Sequence, residues 1–282
     1  MRFLITLTLI ATAAAFSEEP LLKAESEVVY ARYGEREMHL DWYRPDDEAV
    51  YPGILLVHGG GWIGGSKKAF ATTARELASG GYVVANVNYR LATEARFPGA
   101  VLDLKAAVRW MRENAAELGL DPEKIGAVGG SAGGHLTAMI AATANSDDFP
   151  VEVYPNQSDA IQGAVIMGAG VDQVARVKES KSGSIKNCVI FFGGEYDEVP
   201  EIYEAGSPIT HVSAATCPIL MLDGEFDKPG ERYGDYRIKL DAAGVRNDFV
   251  MVPGAKHGEW AKAAFRPAFV AAMLEFLNTV LK

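Results

Sequence analysis

The sequence predicts an α/β protein: a mostly parallel central sheet with helices on both faces and an antiparallel edge on its N-terminal side. Three observations point there. Short apolar runs rich in Val, Ile and Leu alternate with stretches of helical periodicity, as expected of strands buried on both faces. The first two strand-like runs are instead joined by a tight turn, which makes a hairpin. With 282 residues, 49% of them hydrophobic and 23% charged, the chain can fill such a core.

The N-terminus reads differently from the rest. Met1 and Arg2 give a positive start, residues 3–10 are apolar or Thr, and Ala13-Ala14-Ala15 offers the small-x-small site that a signal peptidase cuts. The apolar run is shorter than the roughly 20 residues a spanning helix needs. Residues 1–15 are therefore read as an export signal, leaving 16–282 as a single domain outside the cytoplasm, secreted or periplasmic, with no stable membrane insertion.

Residues 27–33 and 37–43 form the hairpin around Gly34 and Glu35. A strand over 53–57 leads to a helix over 67–79, and a β-branched strand follows over 82–88. Val101, Leu104, Val108 and Met111 recur at helical spacing, and Gly119 ends that helix. A short strand over 125–128 runs into an alanine-rich helix over 132–144. Strands over 161–167, 218–222 and 249–252, with helices near 231–243 and 261–281, complete the pattern. Residues 170–212 break the rhythm and are expected to lie over the carboxyl ends of the strands, where open α/β sheets bind ligands.

The net charge of −10, or −11 once Arg2 is removed with the signal, argues against nucleic acid or an anionic membrane surface as partner. Cys188 and Cys217 are the only thiols, read either as one disulfide or as two buried free thiols. No CxxC or HExxH pattern supports a metal site, and the chemistry inferred below calls for no cofactor.

Two glycine clusters carry the functional signal. The first, HGGGWIGGSKK (58–68), formally contains GxGxxG. A dinucleotide fingerprint also wants an acidic residue at the end of the next strand, and that strand ends in Asn86, Asn88 and Tyr89. A phosphate loop wants Gly-Lys-Ser/Thr, whereas the order here is Gly65-Ser66-Lys67. Both phosphate readings fail on residue type. The second cluster, GGSAGGHL (129–136), satisfies GxSxG between a strand and a helix. In that context the serine sits at the apex of a sharp turn, and the flanking glycines let strand and helix pass without clashing.

Ser131 as nucleophile needs a base, and a third group to orient the base. His39, His58 and His135 come too early or too close in the chain, and His211 precedes the candidate acid strand. His257, in the loop after the last strand, is the base. Asp227 is the acid of choice and Asp223 the second candidate, both following the strand over 218–222. Ala132 N–H, with the Gly60 and Gly61 amides, would form the oxyanion hole. His58 is expected to fix the glycine loop, and His135 to pack beneath the elbow. Trp62 and Trp260 flank these groups and are candidate substrate walls, with core packing as the other reading.

These residues resemble the α/β-hydrolase superfamily, specifically esterases with an HGGGW oxyanion loop, such as the bifunctional acetyl-esterase/feruloyl-esterase-like and hormone-sensitive-lipase-type groups. The stretches GYVVANVNYRLA (81–92), FPGAVLDLKAAVRWMREN (97–114) and GLDPEKIGAVGGSAGGHL (119–136) are similar as well. The resemblance implies a serine esterase that removes small acyl groups, acetyl or feruloyl, from a small-molecule or polysaccharide ester. An amidase or peptidase, a kynurenine-formamidase-like hydrolase and an inactive hydrolase-fold binding protein are the alternatives.

Overall fold

The computed structural model describes residues 21–179 and 184–282; the predicted export signal lies outside them. The chain forms β1 (Leu22–Tyr33), β2 (Arg36–Pro45), β3 (Tyr51–Val57), α1 (Ala71–Ser79), β4 (Val83–Val87), α2 (Gly99–Glu113) and α3 (Ala115–Leu118). β5 (Leu120–Gly130), α4 (Ala132–Ala142) and β6 (Gly163–Met167) follow. Next come α5 (Gln173–Glu179), α6 (Ser184–Phe192), α7 (Pro200–Ala205), β7 (Ile219–Gly224), α8 (Pro229–Ala242), β8 (Asn247–Val252) and α9 (Arg266–Leu281).

All eight strands join one sheet in the order β1-β2-β4-β3-β5-β6-β7-β8. β1 and β2 pair antiparallel, as do β2 and β4, and every other neighbour is parallel. Successive strand residues face opposite sides, so each central strand feeds two cores. In β3, Ile54 and Leu56 pack toward α1 and α9, while Leu55 and Val57 pack toward α2, α4 and α8. Every residue of β4 and β6 is buried. That is why their sequences read as continuous apolar runs.

Several boundaries differ from expectation for identifiable reasons. β1 begins at Leu22, five residues early, because the polar stretch Leu22–Glu25 pairs with Trp42–Pro45 beyond a bulge. The predicted helix over 67–79 starts as a 3-10 turn, and α1 begins only at Ala71. Lys67 N–H donates to Asn88 Oδ1 and Lys67 O accepts from Asn86 Nδ2, so its backbone is tied to the β4 loop. β5 starts at Leu120 because Tyr51 N–H donates to Gly119 O and Leu120 pairs with Tyr51 across an irregularity. Residues 170–212 contain α5, α6, α7 and a 3-10 turn at Pro208–His211. Cys188 and Cys217 are both free and buried, which settles the two readings of the thiols.

Candidate active site

The strand-to-helix turn at β5–α4 places Ser131 at φ 56° and ψ −118°, a backbone conformation that a non-glycine residue holds at about 1–3 kcal/mol. Backbone sterics explain the glycines around it. A Cβ on Gly129 would lie 2.3 Å from Gly133 O, and a Cβ on Gly133 would lie 2.3 Å from Val57 O. Strand and helix therefore cross with main chain against main chain. Ser131 N–H donates to Met167 O at 2.7 Å, fixing the turn to the end of β6.

Ser131 Oγ lies 3.0 Å from His257 Nε2, and His257 Nδ1 lies 2.8 Å from Asp227 Oδ2. The three side chains, distant in sequence, form one hydrogen-bonded chain. Asp227 is the carboxylate that meets the imidazole, and Asp223 has a different place. Fully buried at the end of β7, Asp223 accepts from Gly168 N–H at 2.5 Å and from Arg232 Nη1 at 2.7 Å. Arg232 Nη2 donates to Asp227 Oδ1 at 2.6 Å, so one guanidinium joins both carboxylates. Burial pushes Asp223 up to about 6 against the pull of Arg232. Asp227 also loses solvent, but hydrogen bonds from His257 and Arg232 outweigh that and hold it below the usual carboxylate value.

Arg232 and Gly168 were not among the sequence candidates. Gly168 follows β6 at φ +58°, and a Cβ there would sit 2.7 Å from His257 Cε1 and 3.0 Å from Asp227 Oδ2. The glycine leaves room for the acid–base pair. Its signal was the MGAG stretch after a buried strand. Arg232, five residues beyond Asp227 in an ordinary helical stretch, gave none.

The HGGGW loop packs onto the elbow. A Cβ on Gly59 would lie 2.7 Å from Gly130 O. Gly61, Ala132, Ser131 and His257 all line one cavity of about 480 Å³, within the usual size of ligand sites. Gly60 is not among its lining residues. Its carbonyl accepts from Gly64 N–H at 3.1 Å, and its φ of +128° turns the loop. Gly60 thus shapes the loop through its carbonyl and its φ, and neither feature engages the N–H expected to serve the oxyanion hole. His58 Nδ1 lies 2.7 Å from Gly59 O and the ring stacks on Tyr89 at 4.3 Å, so it braces the loop. Burial lowers the His58 pKa.

The two tryptophans have separate fates. Trp62 lines the cavity yet is only 2% exposed, because it stacks on Phe191 at 4.8 Å and donates through Nε1 to His135 Nδ1 at 3.1 Å. Trp260 is 6% exposed and is not among the residues lining the cavity, in keeping with the packing reading rather than the substrate-wall one. Its indole fills the space behind Gly130, where a Cβ would lie 2.7 Å away, and meets the His257 ring edge-on at 5.1 Å. The α5 segment and the 3-10 turn contribute Ala175, Arg176, Glu179 and Ile209 to the cavity wall, over the carboxyl ends of the strands.

Fold and site together define a class: an α/β-hydrolase with a serine on a nucleophile elbow and an Asp–His pair behind it. Within that class the chain belongs to the BD-FAE family, whose model matches residues 40–229. It is 30% identical to esterase LipC of Mycobacterium tuberculosis over 78% of this chain and 56% of the relative. It is 30% identical to the ethyl acetate hydrolase of Pseudomonas putida over 76% of this chain and 69% of that protein. The solved truncated form of a carbohydrate esterase from gut microbiota superposes with TM-score 0.78 at 25% identity, covering 93% of this chain and 98% of that one. The chain spans only about half to two-thirds of the length of the first curated relatives it matches.

Proposed function

We propose that this chain is a serine carboxylic-ester hydrolase that removes small acyl groups, acetyl first and feruloyl second, from carbohydrate or other polar alcohols. The hydrogen-bonded chain Ser131–His257–Asp227 at one cavity carries the reading. The ethyl acetate hydrolase and carbohydrate esterase among its relatives support the substrate class.

In the first half-reaction His257 Nε2 takes the Ser131 hydroxyl proton as Oγ attacks the ester carbonyl. Asp227 accepts from Nδ1–H, which fixes the tautomer and stabilises the imidazolium. The negative oxygen of the tetrahedral intermediate lies against the Gly60 and Gly61 amides of the glycine loop and the Ala132 amide at the N-terminus of α4. Collapse breaks the bond to the alcohol, which leaves with the proton held on His257. Water then loses a proton to the same nitrogen and attacks the acyl-enzyme, and collapse breaks the bond to Ser131 Oγ, which takes that proton back from His257 as the acid leaves.

Ser131→Ala is expected to lower kcat/KM for a small aryl acetate by at least about four orders of magnitude, as loss of a serine nucleophile does. Turnover within tenfold of wild type would refute the assignment. Acetylated xylan and methyl ferulate, assayed beside the aryl acetate, rank the natural acyl groups. Export is part of the same proposal. Cell fractionation and N-terminal sequencing should recover a protein outside the cytoplasm that begins near residue 16.

A further inference from the structure

The cavity beside Ser131 is walled by two half-buried arginines, Arg176 from α5 and Arg232 from α8. Arg232 is committed, since Asp223 and Asp227 hold its two terminal nitrogens. Arg176 is differently placed. Its guanidinium lies over the Trp62 indole, 5.2 Å from the ring centre, and reaches Gln173 Oε1 only at 3.5 Å. Among the described residues no carboxylate lies within ion-pair distance of it. Of the other charges lining the cavity, Glu179, Lys228 and Asp235 are exposed, and half-buried Asp172 accepts from Ala175 N–H through Oδ1, capping α5 without an ion pair to Arg176.

Holding an arginine half out of water without a carboxylate is unfavourable unless something else supplies the negative charge. The indole supports the guanidinium through cation–π attraction but leaves N–H donors to be satisfied. A guanidinium fork matches a carboxylate in two parallel hydrogen bonds. In a protein of net charge −10, a cation kept in this position selects for an anion against the general field.

We propose that Arg176 is a specificity-determining residue that binds a carboxylate carried by the ester substrate. The inference rests on the ester-hydrolase reading given above. The carboxylate can enter from either side of the scissile bond, as the free end of a dicarboxylic hemi-ester on the acyl side or as an acylated uronic acid on the alcohol side.

Two substrate pairs separate these sources. Mono-4-nitrophenyl succinate against 4-nitrophenyl butyrate tests the acyl side, and acetylated methyl glucuronoside, with its carboxylate free, against acetylated methyl glucoside tests the alcohol side. In wild type, one anionic member should exceed its neutral partner in kcat/KM by about tenfold or more at low salt. Arg176→Gln should bring that ratio near unity, and Arg176→Lys should keep part of it. Raising the salt should narrow the wild-type ratio. The proposal is overturned if both neutral partners are preferred in wild type, or if neither Arg176 variant changes the ratios.

A binding arm keeps this outcome separate from failure of the hydrolase reading. In Ser131→Ala, calorimetry should detect succinate or glucuronate but not 1,4-butanediol or glucose, and the added Arg176→Gln should abolish the heat. Binding without turnover in wild type would overturn the hydrolase reading and leave the anion site standing. Absence of carboxylate binding, with wild-type esters turned over normally, would overturn the anion site alone.

Discussion

His135 makes the fold's pH dependence predictable in sign and size. Its ring is fully buried in α4, between the oxyanion loop and the segment after α7. The Trp62 indole can only donate and the Gly206 carbonyl can only accept, so Nδ1 must be bare and Nε2 must carry the proton. Burial, opposed by the bond to Gly206, pushes its pKa from 6.5 down to about 4. The folded value lies below the unfolded one. The unfolded chain therefore takes up a proton near pH 6.5 that the folded chain refuses until about pH 4. The contribution to stability is fully present above pH 6.5 and is lost as pH falls through that window. At 1.36 kcal/mol per unit it amounts to about 3 kcal/mol.

The assay is urea unfolding at intervals between about pH 7.5 and 4.5 for wild type and His135→Gln, whose amide keeps one acceptor and one donor but does not titrate. The variant should start less stable and lose less on acidification, the two curves converging by about 3 kcal/mol. Parallel curves for the two proteins would refute the reasoning.

Four further expectations come from the same geometry. Gly133→Ala puts a methyl 2.3 Å from one backbone carbonyl and 2.4 Å from the next, so it should destabilise by about 1–3 kcal/mol or more and depress turnover. Gly234→Ala, with nothing within 4 Å and a helical position, should instead stabilise by about 0.5–1 kcal/mol in the same thermal melt. Arg232→Met leaves buried Asp223 without its counter-ion and Asp227 with only its His257 donor. It should lower unfolding stability by about 3 kcal/mol, with Arg232→Lys intermediate. Cys188 and Cys217 are buried with raised pKa values, Cys217 at about 12, so an aromatic disulfide reagent should label neither until urea is added.

Much of this molecule is visible in its sequence because two physical signals are local. Buried parallel strands must be apolar on both faces, which makes 53–57, 82–88 and 161–167 readable. The elbow needs glycine where main chains cross, so GGSAGG announces itself. The fraying of 67–70 into a 3-10 turn is not local, since it depends on two asparagines, Asn86 within the next strand and Asn88 just after it. Nor is the choice between Asp223 and Asp227, which lie four residues apart after the same strand. Depth in the loop favours Asp227 in the sequence, and the structure shows its Oδ2 against the imidazole. Arg232 and Arg176 were illegible because an arginine on an amphipathic helix looks the same whether it meets solvent, a carboxylate or a cavity. Trp260 kept two readings for a related reason: proximity to the base in sequence says nothing about which side of the elbow an indole fills.

The bridge from Asp223 through Arg232 to Asp227 also bears on how this chain can vary. Losing Arg232 strands a buried carboxylate, and losing Asp223 leaves a guanidinium pulling on Asp227 alone. Neither single step is neutral, while a joint change that replaces both with apolar residues leaves only Asp227, still held by His257. Positions 223 and 232 should therefore drift as a pair while Asp227 stays, and homologues that lack the arginine should lack the acid at position 223 as well.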